Sequence, residues 1–361
     1  MAPQARTWKK ALALSLAFAL SLPLFGGCQR QPEKHDKQVF AMDTIMTFTM
    51  YGDGLTKSAE QVLGSLEYFV QYFENDWSAT KPEGDLFKVN AAAGVKTEVS
   101  PSTASLLREA LELCEVTGGN LDITAYPAVE AWGFISGDYR VPSEEELEEL
   151  VGRIDYTQVS VEREEQEGTF QYFVTLPAGM KVELGAVAKG AAADDLVGIL
   201  AANDVHTALL DLGQSTIMAV GTKPDGSPWR IAVQDPAGEG YLGVLELSDL
   251  AVGTSGGYQR YFEQDGKTYW HIIDPDTAAP ARSGLASVTV VGTSGLVCDG
   301  LSTALFVMGL EEGAQFWREH PELEVELLLV TDDGKLYVTP GMEEMFSLAQ
   351  GYEDREVQVL S

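Results

Sequence analysis

The chain has 361 residues, of which 24 are basic and 55 acidic, giving a formal net charge of −31. This acidity argues against nucleic acid or an anionic membrane surface as a direct partner, although a phosphate-bearing substrate stays compatible if a bound cation offsets the repulsion. Apolar residues make up 45% of the chain, enough for a large core, and the length suits one large domain or two ordinary ones.

The first 28 residues are typical of a lipoprotein signal peptide. A basic start with Lys9 and Lys10 precedes an apolar stretch over 11–25, which is short for a membrane span, and "LPLFGGC" ends at Cys28 like a bacterial lipobox. We expect an exported protein, anchored through lipid on Cys28 to the outer face of the bacterial cytoplasmic membrane or the periplasmic side of a membrane. The alternative is an ordinary secretory signal with an accidental cysteine. Residues 29–37 are interpreted as a polar tether.

The rest of the chain predicts an α+β fold within the α/β class, with mostly antiparallel sheets and packed helices. Residues 38–350 are interpreted as one domain, followed by a tail over 351–361. Predicted helices cover 58–73, 103–117, a segment after Ser143, 186–202, 296–309 and 311–319. Predicted strands cover 46–52, 170–176, 207–211, 215–220, 229–233, 244–248, 268–273, 286–291, 325–330 and 335–338.

Cys114 and Cys298 remain after the leader. Both lie in apolar helical contexts, and no spacing of cysteine and histidine typical of a metal site is present. Two buried thiols are the simpler interpretation, while pairing in an oxidising compartment stays open.

Two segments contain side chains suited to binding a metal ion or a phosphate. In "VELGAVAKGAAADDL" (182–196) a helix begins near Lys189, and a helix start suits a phosphate; a tight packing junction is the alternative. In "GTSGLVCDGLSTALFVMG" (292–309), Asp299 and Thr303 stand four residues apart, on one face of a helix. Their hard oxygens suit magnesium or calcium, unless Asp299 is a cap and Thr303 a core residue.

Two further segments are candidates for ligand contact. In 251–275, "TSGG" predicts a flexible loop and "EQDGKT" a hairpin turn that returns the chain to His271. This histidine could bond a phosphate or carry a proton, or simply close a strand. In "GGNLDITAYPAVEAWGF" (118–134), Trp132 and Phe134 could pack on a planar ring or in an ordinary core.

Taken in order, these segments resemble the FAD:protein FMN transferases, the ApbE family. The similarity rests on "MDTIMTF", "NLDITAYPAVEAWGF", "ELGAVAKGAAAD", "TSGGYQRYFEQDGKTYWHIIDPDTAAP" and "CDGLSTALFVMG", and it spans roughly residues 40–345. The resemblance implies a fold related to the tunnelling fold. It also implies a magnesium-dependent enzyme that cleaves FAD and attaches FMN by a phosphoester to a threonine of an exported partner flavoprotein, releasing AMP.

The resemblance also implies roles for individual residues. Magnesium ligands would be Asp299 and Thr303, with Ser302 adjacent and the Ala186 carbonyl. Residues expected to contact FAD are Met42, Asn120, Leu121, Asp122, Glu183, Lys189, His271 and Ile272. Glu183 stands where aspartate is commoner, and Thr80 stands where an aromatic residue often lies, so Trp77 is expected to supply the missing stacking surface.

The general base stays open at this point. His271, Asp274 and Asp299 are candidates, and we expect His271 or Asp274 because a metal ligand is the least free to serve. Two other functions are considered: a FAD pyrophosphatase that releases free FMN and AMP, and a flavin-binding lipoprotein without turnover.

Overall fold

The fold is built on a large sheet that is antiparallel except at one edge. Within the described residues it has nine strands, and the last two in spatial order form its parallel pair. In spatial order the strands are β1 (Lys34–Ala41), β2 (Thr44–Tyr51), β6 (Ala208–Asp211), β7 (Thr216–Val220), β10 (Leu250–Gly256), β15 (Leu285–Gly292), β16 (Glu326–Thr331), β17 (Leu336–Val338) and β19 (Val357–Val359).

Smaller sheets complete the strand content. One has the order β3 (Thr97–Val99), β5 (Thr169–Thr175), β4 (Ser160–Gln166), and another has the order β18 (Phe346–Leu348), β9 (Tyr241–Leu247), β8 (Trp229–Gln234). Two hairpins pair β11 (Tyr261–Gln264) with β12 (Lys267–Trp270) and β13 (Ile273–Asp274) with β14 (Ala279–Pro280). The turn between β11 and β12 falls on Asp265 and Gly266, which confirms the predicted hairpin.

The helices are α1 (Ala59–Trp77), α2 (Asp85–Ala91), α3 (Pro101–Val116), α4 (Tyr126–Ala131), α5 (Glu144–Val151), α6 (Ala188–Ala201), α7 (Gly295–Glu319) and α8 (Pro340–Met345). Helix α7 is interrupted at Gly309, whose φ of 84° is non-helical, so the two helices predicted on either side of residue 310 are confirmed as two segments. A side chain at Gly309 would come within 2.9 Å of the Ser283 carbonyl oxygen, which explains why glycine stands at the break.

The large sheet buries both of its faces. Leu210 and Met218 face one core with Leu66, Leu196 and Leu301 of helices α1, α6 and α7. Alternate residues such as Ala219 and Val252 face a second core, together with residues of β8 and β9. Side chains alternate along a strand, so the strands of the large sheet contribute to both cores. The fold therefore has three layers: the helices, the large sheet, and the β18-β9-β8 sheet. The predicted fold class is confirmed.

The structure describes residues 32–52, 57–238 and 240–361 of this computed structural model, and Glu33–Ser361 form one compact unit. The predicted signal peptide and Cys28 lie outside the described residues. Among the described helices, none combines the length and apolar character needed to cross a membrane.

The folded unit extends beyond the expected 38–350 at both ends. Strand β1 begins at Lys34, inside the expected tether, and pairs along its whole length with β2. In the expected tail, β19 joins the large sheet beside β17. The first residues of β1 are polar because this edge strand exposes one face and one side of its backbone to solvent.

The predicted loop "TSGG" is in the main a strand, and that prediction was wrong. Thr254, Ser255 and Gly256 belong to β10, which lies between β7 and β15. The preceding Gly253 has a packing reason: a side chain there would come within 2.3 Å of the Cys298 carbonyl oxygen. Helix α7 therefore crosses this strand at backbone contact distance.

Cys114 and Cys298 are both buried and unpaired. Burial raises the pKa of each thiol, and that of Cys114 reaches about 12. The two side chains therefore act as small apolar core residues, as the simpler interpretation predicted.

Candidate active site

A cavity of about 1490 Å³ collects the segments singled out in the sequence. Its lining includes thirteen of the fifteen predicted site residues, which are Met42, Trp77, Thr80, Asn120, Leu121, Asp122, Glu183, Ala186, Lys189, His271, Ile272, Asp299 and Thr303. Asp274 and Ser302 are not part of the lining. Residues more than 250 positions apart in sequence thus share one space, because the β1–β2 turn, the start of α6 and the start of α7 meet there.

Asp299 is the most deeply buried acid of this cavity, with 5% of its surface exposed. Its Oδ2 accepts a hydrogen bond from the Gly190 amide at 3.0 Å, and its Oδ1 accepts one from the Thr216 hydroxyl at 2.9 Å. Burial raises the pKa of this carboxyl, while the Lys189 ammonium, 3.9 Å from Oδ2, acts in the opposite direction. Two donors and one distant cation leave the ionised carboxylate short of compensating charge.

Thr303 lies one helical turn after Asp299 on α7, and its hydroxyl oxygen is 3.1 Å from that of Ser255 on β10. Ser302 is different, since only 1% of its surface is exposed. Its hydroxyl donates to the Asp299 carbonyl oxygen at 2.7 Å and also contacts the Ser255 hydroxyl at 2.8 Å. This geometry argues against coordination by the Ser302 side chain.

The donor set fits a hard divalent cation. No cluster of three or more histidine, cysteine, aspartate or glutamate residues suited to a metal occurs in the described parts of the chain. The cavity instead offers one buried carboxylate on Asp299, a hydroxyl on Thr303 and main-chain oxygen near Ala186. Oxygen-only ligands with open positions for water and phosphate are what Mg²⁺ prefers, and a cation would compensate the buried charge of Asp299.

The start of α6 adds positive potential to the same wall. The helix runs for 14 residues, and its N-cap residue Val187 provides no side-chain cap. Ala188 and Lys189 of its first turn line the cavity, and 20% of the Lys189 side chain is exposed. The helix dipole and an ammonium group therefore point to a site for an anion such as a phosphate.

Glu183 is a second unusual carboxyl in this lining. Burial raises its pKa to about 7, although the nearby Arg260 and Lys189 favour the ionised form. Its amide donates to the Ile123 carbonyl oxygen at 2.8 Å, which fixes the backbone of this segment beside residues 120–122. Glu183 can therefore exchange a proton near neutral pH.

His271 is neutral at physiological pH, because burial and the charge of Arg260 lower its pKa to about 4. Its Nδ1 lies 3.3 Å from the Arg260 carbonyl oxygen. A carbonyl can only accept, so Nδ1 carries the proton when this bond forms, and Nε2 keeps a lone pair. Nε2 is therefore the ring nitrogen that can accept a hydrogen bond from a group in the cavity.

Asp274 does not share this position. Its Oδ1 accepts the Asp276 amide at 2.9 Å, and its carbonyl oxygen accepts the amides of Thr277 and Ala278. The carboxylate closes the turn between β13 and β14, outside the cavity lining. The short spacing of the acidic residues after His271 is thus explained by turn geometry, which does not support the predicted catalytic role of Asp274.

The sequence model of the ApbE family matches residues 42–327, which is most of the chain. The chain belongs to the ApbE family. It is 31% identical over 334 residues to an FAD:protein FMN transferase of Haemophilus influenzae, covering 90% of this chain and 95% of that protein. A Vibrio cholerae protein of the same name is 30% identical over 349 residues, with 95% and 99% covered. The chain is thus an enzyme of the transferase class.

Solved ApbE structures share the fold. An ApbE protein of Thermotoga maritima superposes with a TM-score of 0.79 at 29% identity, covering 87% of this chain and 99% of that one. The apo flavinyl transferase ApbE of Pseudomonas stutzeri gives 0.76 at 27% identity, covering 88% and 98%.

The aromatic wall differs from the ApbE-family expectation in one respect. The Trp77 ring stacks on Phe73, with ring centroids 4.3 Å apart and planes 5° from parallel, and only 5% of Trp77 is exposed. One indole face is therefore already covered.

Thr80 is held by its own turn, since its amide donates to the Ser78 hydroxyl at 3.2 Å. Met42 reaches the cavity from the β1–β2 turn with φ of 49°.

The segment Asn120–Asp122 is fixed by internal hydrogen bonds. The Asn120 amide group donates to the Thr117 carbonyl oxygen at 3.1 Å. Asp122 accepts bonds from the amide and hydroxyl of Thr124, at 2.7 and 2.6 Å, and from the Tyr156 amide at 3.0 Å. Burial raises the pKa of this carboxyl. Asp122 thus holds this stretch of the lining in place as a cap.

Sequence reasoning gave no role to four residues that complete the site. Thr216 bonds Asp299, Ser255 bonds Thr303, Arg260 supplies the carbonyl that orients His271, and Tyr258 lines the cavity. Ser255, Tyr258 and Arg260 lie in the "TSGGYQR" stretch, so its similarity to the family motif could have identified them as site residues. Thr216 carried no signal, because its contact joins positions 83 residues apart.

Proposed function

We propose that this enzyme cleaves FAD and attaches the FMN portion by a phosphoester bond to a threonine of an exported partner flavoprotein, with magnesium required and AMP released. The observation that carries the proposal is the convergence of Asp299, Thr303 and Lys189 on one cavity in an ApbE-family chain. Asp299 would bind the cation, with the Thr303 hydroxyl beside it as a second ligand. Lys189 would bind a phosphate. A pyrophosphate bound through magnesium needs both kinds of group.

Magnesium would be held by Asp299, Thr303 and the Ala186 carbonyl oxygen, and it would supply neutralisation of charge on the pyrophosphate. Lys189 and the α6 N-terminus would bind phosphate oxygens and orient the flavin-side phosphorus. Thr216 and the Gly190 amide hold the Asp299 carboxylate in one orientation, which reduces the reorganisation needed during the reaction.

His271 is the group we assign to proton transfer. The acceptor hydroxyl attacks the flavin-side phosphorus, the bond from that phosphorus to the oxygen bridging to AMP breaks, and AMP leaves. Nε2 of the neutral ring takes the hydroxyl proton, because Nδ1 is engaged with the Arg260 carbonyl oxygen. Asp299 is the weaker candidate, since a metal ligand is less free to accept a proton.

Mass spectrometry after co-expression with exported flavoproteins tests the reaction. We expect FMN on a threonine and one AMP for each FMN attached, in purified reactions that contain FAD and magnesium. Equal rates of FMN and AMP release without an acceptor would instead make the protein a FAD pyrophosphatase. Absence of AMP under every condition would make it a flavin-binding protein without turnover.

We also propose that the enzyme is exported and anchored by lipid on Cys28, because the sequence before that cysteine has the order of a lipoprotein leader. Changing Cys28→Ser should move the protein from the membrane fraction to the soluble exported fraction and remove its incorporation of labelled palmitate. Retention of the label in that variant would contradict the assignment.

A further inference from the structure

The free edge of strand β8 forms part of the cavity wall. Five consecutive residues of β8 line the cavity, namely Arg230, Ile231, Ala232, Val233 and Gln234. Their burial alternates, with Ile231 and Val233 buried against the large sheet and the residues between them exposed. Since neighbouring side chains point to opposite faces, the cavity reaches both faces of β8, and it also touches Tyr241 and Leu245 of the neighbouring strand β9.

This edge has main-chain groups without a protein partner. Among the described strands, β8 is the terminal strand of the β18-β9-β8 sheet and pairs with β9 alone. In the part of the chain that the structure describes, residues 230–233 make no main-chain hydrogen bond other than those of this pairing. About half of the N–H and C=O groups of an outer antiparallel strand point away from its partner. On β8 these groups lie on the side away from β9, and the five lining residues place that strand beside the cavity.

Apolar residues of the large sheet also line this cavity, next to the face of β8 that packs on that sheet. Leu209, Ile217 and Val252 line the cavity from β6, β7 and β10. The same cavity continues past the β6–β7 turn to Asp299. Its volume of about 1490 Å³ is larger than the roughly 300–1,000 Å³ of ordinary small-molecule pockets, so it has room beyond a dinucleotide.

We propose that the acceptor protein binds as an extended segment along the β8 edge, pairing with its main chain and bringing the hydroxyl residue to the Asp299 end of the cavity. The inference rests on the proposed function, in which the second substrate is a polypeptide. Five residues of edge match one segment of about 17 Å, and strand addition at a free edge is a common form of peptide recognition.

Arg230 adds hydrogen-bond donors at this edge. Its side chain is 61% exposed, and its Nε forms an ion pair with its cross-strand neighbour Glu246 at 3.6 Å. The terminal N–H groups of the guanidinium can therefore donate to carbonyl oxygens of the incoming segment.

Paired proline variants test the main-chain contacts. Adjacent amides of β8 point to opposite edges of the strand, so Ala232→Pro and Val233→Pro should differ in their effects. One variant removes a hydrogen bond to β9 and lowers Tm. The other removes an N–H on the free edge and leaves Tm nearly unchanged. We expect the second variant to raise the KM for the acceptor at least tenfold, with FAD binding unchanged. The acceptor probe is the flavoprotein found by mass spectrometry.

Hydrogen exchange and a matched pair of arginine variants provide independent readouts. Adding the acceptor with its target Thr changed to Val should slow exchange of alternate amides within 230–234. Arg230→Ala should raise the acceptor KM several-fold, whereas Arg163→Ala, on β4 and outside the cavity lining, should not. An unchanged KM in the stable proline variant, with no slowed exchange, overturns the inference. Failure of the wild-type enzyme to transfer FMN to any acceptor would instead refute the proposed function.

Discussion

Asp299 is the residue at which the proposed metal site is expected to lower the stability of the fold. A buried carboxylate with two hydrogen-bond donors is costly to keep ionised, as the raised pKa shows. Asp299→Asn removes that cost while it keeps the shape of the side chain. We therefore expect this variant to lose at least 100-fold in kcat/KM for magnesium-dependent AMP release, yet to match or exceed the wild type in Tm without metal.

Two measurements decide this prediction. Calorimetry gives Tm, and titration with Mn²⁺ followed by electron paramagnetic resonance reports metal binding directly. Asp276→Asn, on the exposed turn after β13, serves as the control and should change neither quantity. Wild-type metal affinity in Asp299→Asn would remove this residue from the metal site.

Glu183 gives a pH dependence with a defined sign. Its pKa is about 7 in the fold and about 4.5 in the unfolded chain, so the unfolded state releases its proton first. Stability from this group is therefore lost as pH rises from about 4.5 to 7. Glu183→Gln does not titrate, and we expect its Tm without ligands to exceed that of the wild type at pH 8 and to equal it at pH 4. Parallel Tm curves across this range would contradict the assigned environment.

At the scale of elements, helices α6 and α7 hold each other's starts. Asp194 on α6 accepts bonds from the Ser294 hydroxyl at 3.0 Å and from the amides of Gly295 and Leu296 at 2.7 and 3.1 Å. In return, Asp299 on α7 accepts the Gly190 amide of α6. These reciprocal caps fix the distance between the carbonyl before α6 and the side-chain ligands on α7.

Asp194→Asn is expected to destabilise the fold by about 1–2 kcal/mol, because an amide replaces an acceptor that serves three donors at a helix start. Denaturant unfolding measures this loss. Asp195→Asn is the matched control, since Asp195 is the exposed neighbour on the same helix and should change stability little. Equal effects of the two substitutions would mean that general charge, rather than capping, acts here.

Backbone contact between the same helices explains two glycines. A side chain at Gly190 would come within 2.1 Å of the Gly295 carbonyl oxygen, and one at Gly295 within 2.5 Å of the Gly190 carbonyl oxygen. No flexible side chain could move aside to relieve these contacts. The small residues in "AKGAAAD" are therefore needed for helix packing as well as for access by a ligand.

At the scale of the whole molecule, both ends of the described unit are tied to the large sheet. β1 forms one edge and β19 the other. The last residues add contacts of their own: the Leu360 amide donates to the Val338 carbonyl oxygen at 2.7 Å, and Arg318 Nε donates to the Ser361 carbonyl oxygen at 2.8 Å. The C-terminal segment is thus part of the fold.

Two truncations follow from this arrangement. A chain that begins at Glu33 should fold and melt cooperatively without detergent, because it keeps all of β1. Ending the chain at residue 350 should lower Tm by several degrees, because it exposes β17 and removes its only outer partner among the described strands. Circular dichroism on matched samples measures both, and unchanged stability after the second truncation would contradict the structural role of β19.

Local patterns determined most of the elements. Apolar residues at helical spacing predicted α1 and α3, and apolar or alternating runs predicted most strands of the large sheet, whereas the central strand β10 was missed because its glycine-rich end suggested a loop. Segments without such a pattern were missed, among them β1, β4 and the short helix α2. β1 and β4 are polar edge strands, whereas α2 is a short helix that buries Leu86 and Val89, so pairing and tertiary position, rather than local preference, decide these elements.

By itself, the sequence determined the family, and it predicted ligand roles for Asp299, Thr303 and Lys189 from spacing and motif. The tertiary structure decided how each residue is used. It placed Asp274 in a turn, turned the Ser302 hydroxyl to the main chain, added Thr216 to Asp299 and exposed the edge of β8 to the cavity. Hydrogen-bond partners and burial depend on which distant segments pack together, and that information is absent from any local stretch of the chain.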